Sequence, residues 1–325
     1  MRSTKIICTA GPASWSPEIL QNLAKAGMNV VRLNLSHGTS KDCNRIIEDI
    51  RKLNSDNKYC VAILIDTKGA EIRTGVIQHE IDIAKGDEVV FSSIPLPANG
   101  RKIIEVNYDR FYADVPETKT ILIDNGDIIF DIVRIEDDHT VIARAQNAGV
   151  VGSRRHINLP GADIDLPSIT EKDWEDIAYA VEQNADFLAL SFIRDADEVR
   201  AVRDFLTKKK SSLRIVSKIE TQQAVDHIAE IIEVSDAIMI ARGDLGTDLP
   251  FEELPVLQDE IVTRCRDQGI PVIVATHMLE SMTQHPMPTR AEVTDVAHAA
   301  MTGADATMLS GETAVGRDPV RALEA

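Results

Sequence analysis

Two short segments place charged side chains two residues apart: Lys218-Ile219-Glu220 and Arg242-Gly243-Asp244. In extended chain, residues two apart project to the same face. An ammonium and a carboxylate would therefore emerge together from 218 and 220, and Asp244 adds a second carboxylate after the next apolar run. Mg²⁺ is commonly held by one or two carboxylates, with water and substrate oxygens completing its shell. A lysine beside such a metal could stabilise a developing enolate or a transferring phosphoryl group. The same spacing reads equally well as a structural ion pair at the strand ends. Arg32, Asn34 and Ser36 also alternate by two. Arg32 suits a phosphate or carboxylate, and Asn34, Ser36 and Asp66 offer oxygens to a second cation; interior hydrogen bonding is the competing reading. Gly243 permits close backbone approach of a ligand, or simply makes a tight turn. Arg154-Arg155-His156 read either as a solvated basic loop or as a phosphate clamp.

The elements that must carry these residues are short, near-continuous apolar runs at 4–8, 29–35, 61–66, 186–191, 213–219, 237–241, 271–275 and 306–309. Such runs are expected of parallel strands buried on both faces. Helical patterns lie between them, at 17–26, 41–53, 171–183, 196–209 and 290–302, the first opened by Ser16-Pro17. Strands alternating with helices read as an α/β (β/α)₈ TIM barrel, whose active sites form at the C-terminal ends of the strands. The candidates fall there: Arg32 to Ser36 and His37 after the second run, Asp66-Thr67-Lys68 after the third, Thr276-His277 after the seventh and Ser310-Gly311-Glu312 after the eighth. Cys8, Trp15, Trp174 and His298 read as structural.

From 71 to 157 the rhythm changes to strand-like pieces at 88–91, 120–123, 127–133 and 140–145, separated by turn signals. This predicts a small all-β domain inserted after the third strand, a natural lid. The expected division is 1–70 and 158–325 for the barrel and 71–157 for the insert. After the eighth strand, residues 318–325 amount to about two turns of helix, so an incomplete eighth barrel helix is expected. With 35 Lys+Arg against 52 Asp+Glu, the net charge of −17 disfavours a nucleic-acid partner. No apolar stretch approaches the ~20 residues of a membrane span. The four cysteines show no metal-binding spacing, and reduced thiols in the cytoplasm are the expectation.

The motifs TKIICTAGPAS, NVVRLNLSHG, LIDTKGAEIRTG, SFIR, VSKIETQQAV, MIARGDLGTDLP, PVIVATHMLESM and PTRAEVTDVAHAAMTGADATMLSGETAVG follow in order over nearly the whole chain. Together they closely resemble pyruvate kinase. The resemblance implies phosphoryl transfer from phosphoenolpyruvate to ADP, giving pyruvate and ATP, with Mg²⁺ or Mn²⁺ and K⁺. It implies that Lys218 stabilises the transition state, that Glu220 and Asp244 hold the divalent ion, and that Arg32 binds substrate phosphate. Asn34, Ser36, Asp66 and Thr67 would hold K⁺, with Glu71 at the position that accompanies K⁺ dependence. Arg73, His37 and Arg155 would meet the nucleotide. Gly243, Asp244 and Thr276 would meet the substrate, and Thr276 and Ser310 would relay the proton to the enolate.

The sequence departs from the family pattern at Ala70, where Pro is usual, and at Arg155-His156, where Lys-Gly is usual. His277 stands for the usual Gln and His298 for the usual Asn. The C-terminal domain of the family, with its effector site and a subunit interface, has no counterpart in this sequence, so weakened homo-oligomer assembly is expected. Two other readings stand beside the enzyme: an inactive chain that binds ligand or joins full-length partners, and a barrel enzyme that cleaves carbon–carbon bonds through a pyruvate enolate without ADP.

Overall fold

The computed structural model describes residues 3–36, 40–55, 58–97, 99–124, 126–162 and 164–325. They form two compact units. The first comprises Met1–Gly69, Ser168–Gly243 and Glu253–Ala325, and the second Ala70–Pro167 and Asp244–Glu252.

The first unit is a closed parallel barrel of β1 (Lys5–Thr9), β2 (Val30–Asn34), β3 (Ala62–Asp66), β4 (Phe187–Leu190), β5 (Arg214–Ile219), β6 (Ala237–Ala241), β7 (Val272–Ala275) and β8 (Ala306–Leu309). Each strand pairs with its sequence neighbours, and β8 closes onto β1. Apolar side chains such as Ile7, Leu64, Val216, Met239, Ile273 and Met308 pack together as one buried cluster of the barrel. Inward residues from alternate strands fill such a barrel in layers. The helices are punctuated by local chemistry. Ser16 Oγ accepts from the Ile19 N–H with Pro17 in the first turn, and Gly27 ends that helix at φ 111°. Thr170 opens Glu171–Glu182 with a capping box to Asp173.

A second capping box opens the helix Arg290–Thr302, where Thr289 and Glu292 bond reciprocally. Glu292 Oε1 also accepts from the Ser281 N–H at 2.7 Å. Burial opposes its charge, but the hydrogen bonds from Ser281 and Thr289 prevail and bring its pKa from 4.5 to about 2. The unfolded chain therefore takes up this proton first as pH falls. The stabilisation is complete above pH 4.5 and is lost toward pH 2. Glu292→Ala is expected to lower unfolding free energy at pH 7 by about 1–2 kcal/mol. Its deficit in urea melts should shrink across that acid window.

The second unit holds a six-stranded sheet in the order Ile157–Asn158, Thr120–Ile123, Ile128–Asp137, Thr140–Ala145, Glu88–Ser92, Lys102–Glu105, and a separate pair, Gly149–Val151 with Ile81–Ile83. Its core is built on Phe91, whose ring stacks on Phe111 at 6.0 Å and meets Phe130 edge-on at 5.2 Å. Phe111 belongs to a short helix, Phe111–Asp114, so the unit is β-rich rather than all-β. No helix among the described residues is long and apolar enough to cross a membrane.

Candidate active site

The strand ends of the barrel gather a chain of alternating charges. Arg32 near the end of β2 donates from Nε to Asp66 Oδ2 at 2.6 Å and from Nη1 to Thr9 Oγ1 at 3.1 Å. Register explains the first bond: Arg32 lies beside Leu64 and Asn34 beside Asp66, so the C-terminal ends of β2 and β3 share one rim. Asp66 Oδ1 lies 3.4 Å from Lys218 Nζ, and Nζ lies 2.8 Å from Glu220 Oε1. The order is therefore cation, anion, cation, anion, drawn from β2, β3 and β5. All four groups are buried, Asp66 completely. Burial alone would raise the Asp66 pKa, but the charges of Lys218 and then Arg32 outweigh it and hold the carboxyl below its ordinary range.

Around this chain, the Asn34 side-chain oxygen accepts from the Ser36 N–H at 3.0 Å. Thr67 is 2% exposed and its Oγ1 accepts from the Ser191 N–H at 3.2 Å. Asn34, Ser36, Asp66 and Thr67 thus follow one another along neighbouring strand ends and present amide, hydroxyl and carboxylate oxygens. Among the described residues no three His, Cys, Asp or Glu side chains converge as a metal cluster. His37 lies outside the described residues.

Arg242-Gly243-Asp244 do not make a turn. They open the helix Arg242–Asp248 directly after β6, with Asp244 in its first turn. The Gly243 N–H donates to Thr276 Oγ1 at 2.6 Å, and that hydroxyl donates to the Ala275 carbonyl at 2.6 Å. Thr276 and His277 both lie in the left-handed region, at φ 67° and 53°. Arg242 braces this kink, donating to the Thr276 carbonyl at 2.7 Å while paired with Asp295 at 2.7 Å. Two successive strained residues without glycine are the kind of backbone that clusters at functional sites.

Ser310 precedes the short helix Gly311–Ala314. Its N–H donates to Glu312 Oε2 at 2.7 Å, and its buried hydroxyl has no hydrogen bond among the described residues. Ser310 lines a cavity of about 470 Å³ together with Arg32, Asn34, Pro12, Trp15 and Cys43. Trp15, read as a packing residue, is therefore also a cavity wall. No hydrogen bond joins Thr276 to Ser310 among the described residues.

Arg73 and Arg155 belong to the second unit. Arg73 bonds Glu71 at 2.5 Å and the Arg154 carbonyl at 2.7 Å, and Arg155 pairs with Asp124 at 3.1 Å. His298 bridges to Asp259 at 2.9 Å on the barrel surface. Ser191, the first residue beyond β4, also belongs to the site: its hydroxyl accepts from Lys218 Nζ at 2.7 Å, although its type gives no signal in the sequence. The strand-end rule points to it, but two apolar residues follow it, and no charge draws attention there.

Residues 1–323 match the family described as the pyruvate kinase barrel domain. The chain is 44% identical over 322 residues to plastidial pyruvate kinase 2 of Arabidopsis thaliana, covering 99% of this chain and 55% of that protein. It is 44% identical over 330 residues to a pyruvate kinase of Sporosarcina psychrophila, covering 100% of this chain and 56% of that protein. A crystal structure of a pyruvate kinase from Cryptosporidium parvum superposes with a TM-score of 0.94 at 37% identity, covering 99% of this chain and 67% of that one. The chain spans just over half the length of the curated relatives it matches.

Proposed function

Since the chain belongs to the pyruvate kinase family, we propose that it transfers the phosphoryl group of phosphoenolpyruvate to ADP, giving pyruvate and ATP. The observation that carries this reading is the buried Arg32–Asp66–Lys218–Glu220 chain at the C-terminal ends of the strands. Arg32 and Lys218 are balanced by Asp66 and Glu220, so a cation held at Glu220 would tip the chain to net positive charge, which suits a phosphorylated, carboxylated substrate. Phosphoryl transfer asks for positioning and charge stabilisation rather than covalent chemistry. Lys218 and Arg32 meet the charge that spreads over the transferring oxygens.

The donor sets fit the ions that the reaction would use. Glu220 and Asp244 offer carboxylates, the hard ligands that Mg²⁺ or Mn²⁺ prefers. The oxygens of Asn34, Ser36, Asp66 and Thr67 suit K⁺. When bound, these ions supply further neutralisation of the phosphoryl charge. The Gly243 backbone, Asp244 and Thr276 take the carboxylate end of the substrate. Thr276 and Ser310, with water, carry the proton to the enolate carbon, and the resulting ketone makes the transfer downhill. Arg73, Arg155 and His37 are assigned to the nucleotide. The four free cysteines suit the cytoplasm, where thiols stay reduced.

The test is pyruvate formation from phosphoenolpyruvate with Mg²⁺ and K⁺, with and without ADP. Turnover that requires ADP is expected. Folded protein without turnover, or pyruvate release that ignores ADP, would overturn the reading.

Gly243 gives a sharper check. A Cβ there would find Thr276 atoms at 3.4, 3.5 and 3.7 Å, ordinary contact distances. The chain itself therefore tolerates alanine, and in a helix alanine is favoured over glycine by roughly 0.5–1 kcal/mol. Gly243→Ala is expected to melt no lower than the parent, while KM for phosphoenolpyruvate rises about tenfold, equivalent to about 1.4 kcal/mol.

A further inference from the structure

The Lys218–Glu220 pair is held from a single turn. Ser191 is 3% exposed. Its hydroxyl accepts from Lys218 Nζ at 2.7 Å and donates to the Thr67 carbonyl at 2.8 Å. The next N–H along the chain, that of Phe192, donates to Glu220 Oε2 at 2.7 Å. Adjacent residues thus grip the two charged groups, one by a side chain and one by the backbone. Phe192 makes its bond from φ 54°, a left-handed conformation that is an outlier for a bulky residue. Backbone strain of this kind persists only where the surroundings over-determine it.

The surroundings here are specific. Gly69, itself at φ 74°, lies against the turn so closely that an added Cβ would meet the Phe192 ring at 2.8 Å and Ser191 Cβ at 2.8 Å. Gly69 is in turn fixed by its N–H to Asp173 Oδ1 at 2.9 Å, beside the Lys68 N–H at 3.1 Å on the same oxygen. Asp173 is fully buried and caps its own helix. The contacts run from Asp173 through Gly69 to the turn, and from the turn to Lys218 and Glu220.

We infer that Ser191 and Phe192 are the positioning residues of the reaction: the Ser191 hydroxyl sets where the Lys218 ammonium sits, and the Phe192 N–H sets the Glu220 carboxylate. An ammonium between two carboxylates, at 2.8 Å and 3.4 Å, is drawn toward both. A neutral hydroxyl pins it without adding negative charge against an anionic substrate. Ser191 acts through Lys218 and needs no substrate contact. The inference rests on the function proposed above for its kinetic consequence, and on the geometry alone for its structural one.

The experiment compares the parent with Ser191→Ala and Ser191→Thr, each checked for folding by thermal melting. Ser191→Ala is expected to lose on the order of 10- to 100-fold in kcat, the scale of a misplaced reacting group, with little change in KM for phosphoenolpyruvate. Ser191→Thr keeps the hydroxyl and should recover most of that loss. In ¹H–¹⁵N spectra of the lysine ammonium groups, the parent should show a slowly exchanging signal that Lys218→Met removes and Ser191→Ala shifts or broadens. Parent-like kcat in Ser191→Ala, equal losses in both variants, or an unchanged ammonium signal overturns the inference. If the parent shows no turnover, the proposed function fails, and the ammonium signal alone decides whether Ser191 holds Lys218.

Discussion

Lys218→Met is expected to lower kcat for ADP-dependent pyruvate formation by at least on the order of 10²–10³-fold, the scale of deleting one preorganised charge-stabilising group. Methionine matches the length and volume of the lysine stem, so packing around β5 is retained. What disappears is the ammonium that lies 2.8 Å from Glu220 and 3.4 Å from Asp66. Those carboxylates keep other partners: Asp66 retains Arg32 at 2.6 Å, and Glu220 retains the Phe192 N–H at 2.7 Å. The variant should therefore fold, although breaking a buried ion pair can remove about 3–5 kcal/mol of stability. Melting at pH 7 measures that loss separately from the kinetics. The variant also carries a pH signature. Lys218 is one of the two cations that hold the Asp66 pKa down, so without it Asp66 should take up its proton at a higher pH. Turnover within tenfold of the parent would remove Lys218 from the centre of the mechanism.

The strands were legible because burial on both faces writes itself as an apolar run. Ala237–Ala241 and Ala306–Leu309 have the bounds that their residues predict, β1 is shifted by one residue to Lys5–Thr9, and the other barrel strands are trimmed by one residue at one or both ends. The charged candidates were legible because a strand of alternating direction announces which residues share a face. The pairing was not. Asp66 stood in the sequence as one oxygen donor among four, yet the fold makes it the anion between Arg32 and Lys218. That depends on the register of β2 on β3 and on the closure of the barrel, which no local pattern encodes. Short edge strands such as Lys102–Glu105 and Ile81–Ile83 were missed for a related reason: at four and three residues they carry too little periodicity to stand out from loop. The left-handed Thr276, His277 and Phe192 are invisible by type, since threonine, histidine and phenylalanine disfavour that conformation and only tertiary contacts impose it. Of the two readings of Gly243, the tight turn is the one that fails, because the residue sits in the first turn of a helix.

Asp66→Asn should be the most damaging near-isosteric change in the barrel. The amide keeps the shape of the carboxylate and removes its charge. Asp66 Oδ2 accepts from Arg32 Nε at 2.6 Å, while Oδ1 faces Lys218 Nζ at 3.4 Å and the Ser191 hydroxyl at 3.3 Å. An asparagine can present oxygen to only one of these sides. Its NH₂ then points at a cation, donor against donor, in a site closed to water. Lys218 keeps Glu220, while Arg32 is left with the neutral Thr9 hydroxyl. Removing one partner of such a network is expected to destabilise by about 3–5 kcal/mol at pH 7 and to lower kcat by on the order of 10²-fold. K⁺ activation, which the proposed site draws partly from this carboxylate, should weaken with it. The pH dependence follows from sign. The folded pKa of Asp66 is depressed below 3.8, so between the two values the unfolded chain binds more protons and stability rises with pH. The parent holds this contribution in full above 3.8 and loses it as pH falls through the folded pKa. The variant has no such proton to take up. The stability gap between parent and Asp66→Asn in urea melts should thus be widest at neutral pH and narrow below 3.8. A gap that stays constant into acid would mean that Asp66 is not the ionised anion between Arg32 and Lys218, and the alternating charge chain on which the proposed reaction stands would lose its middle member.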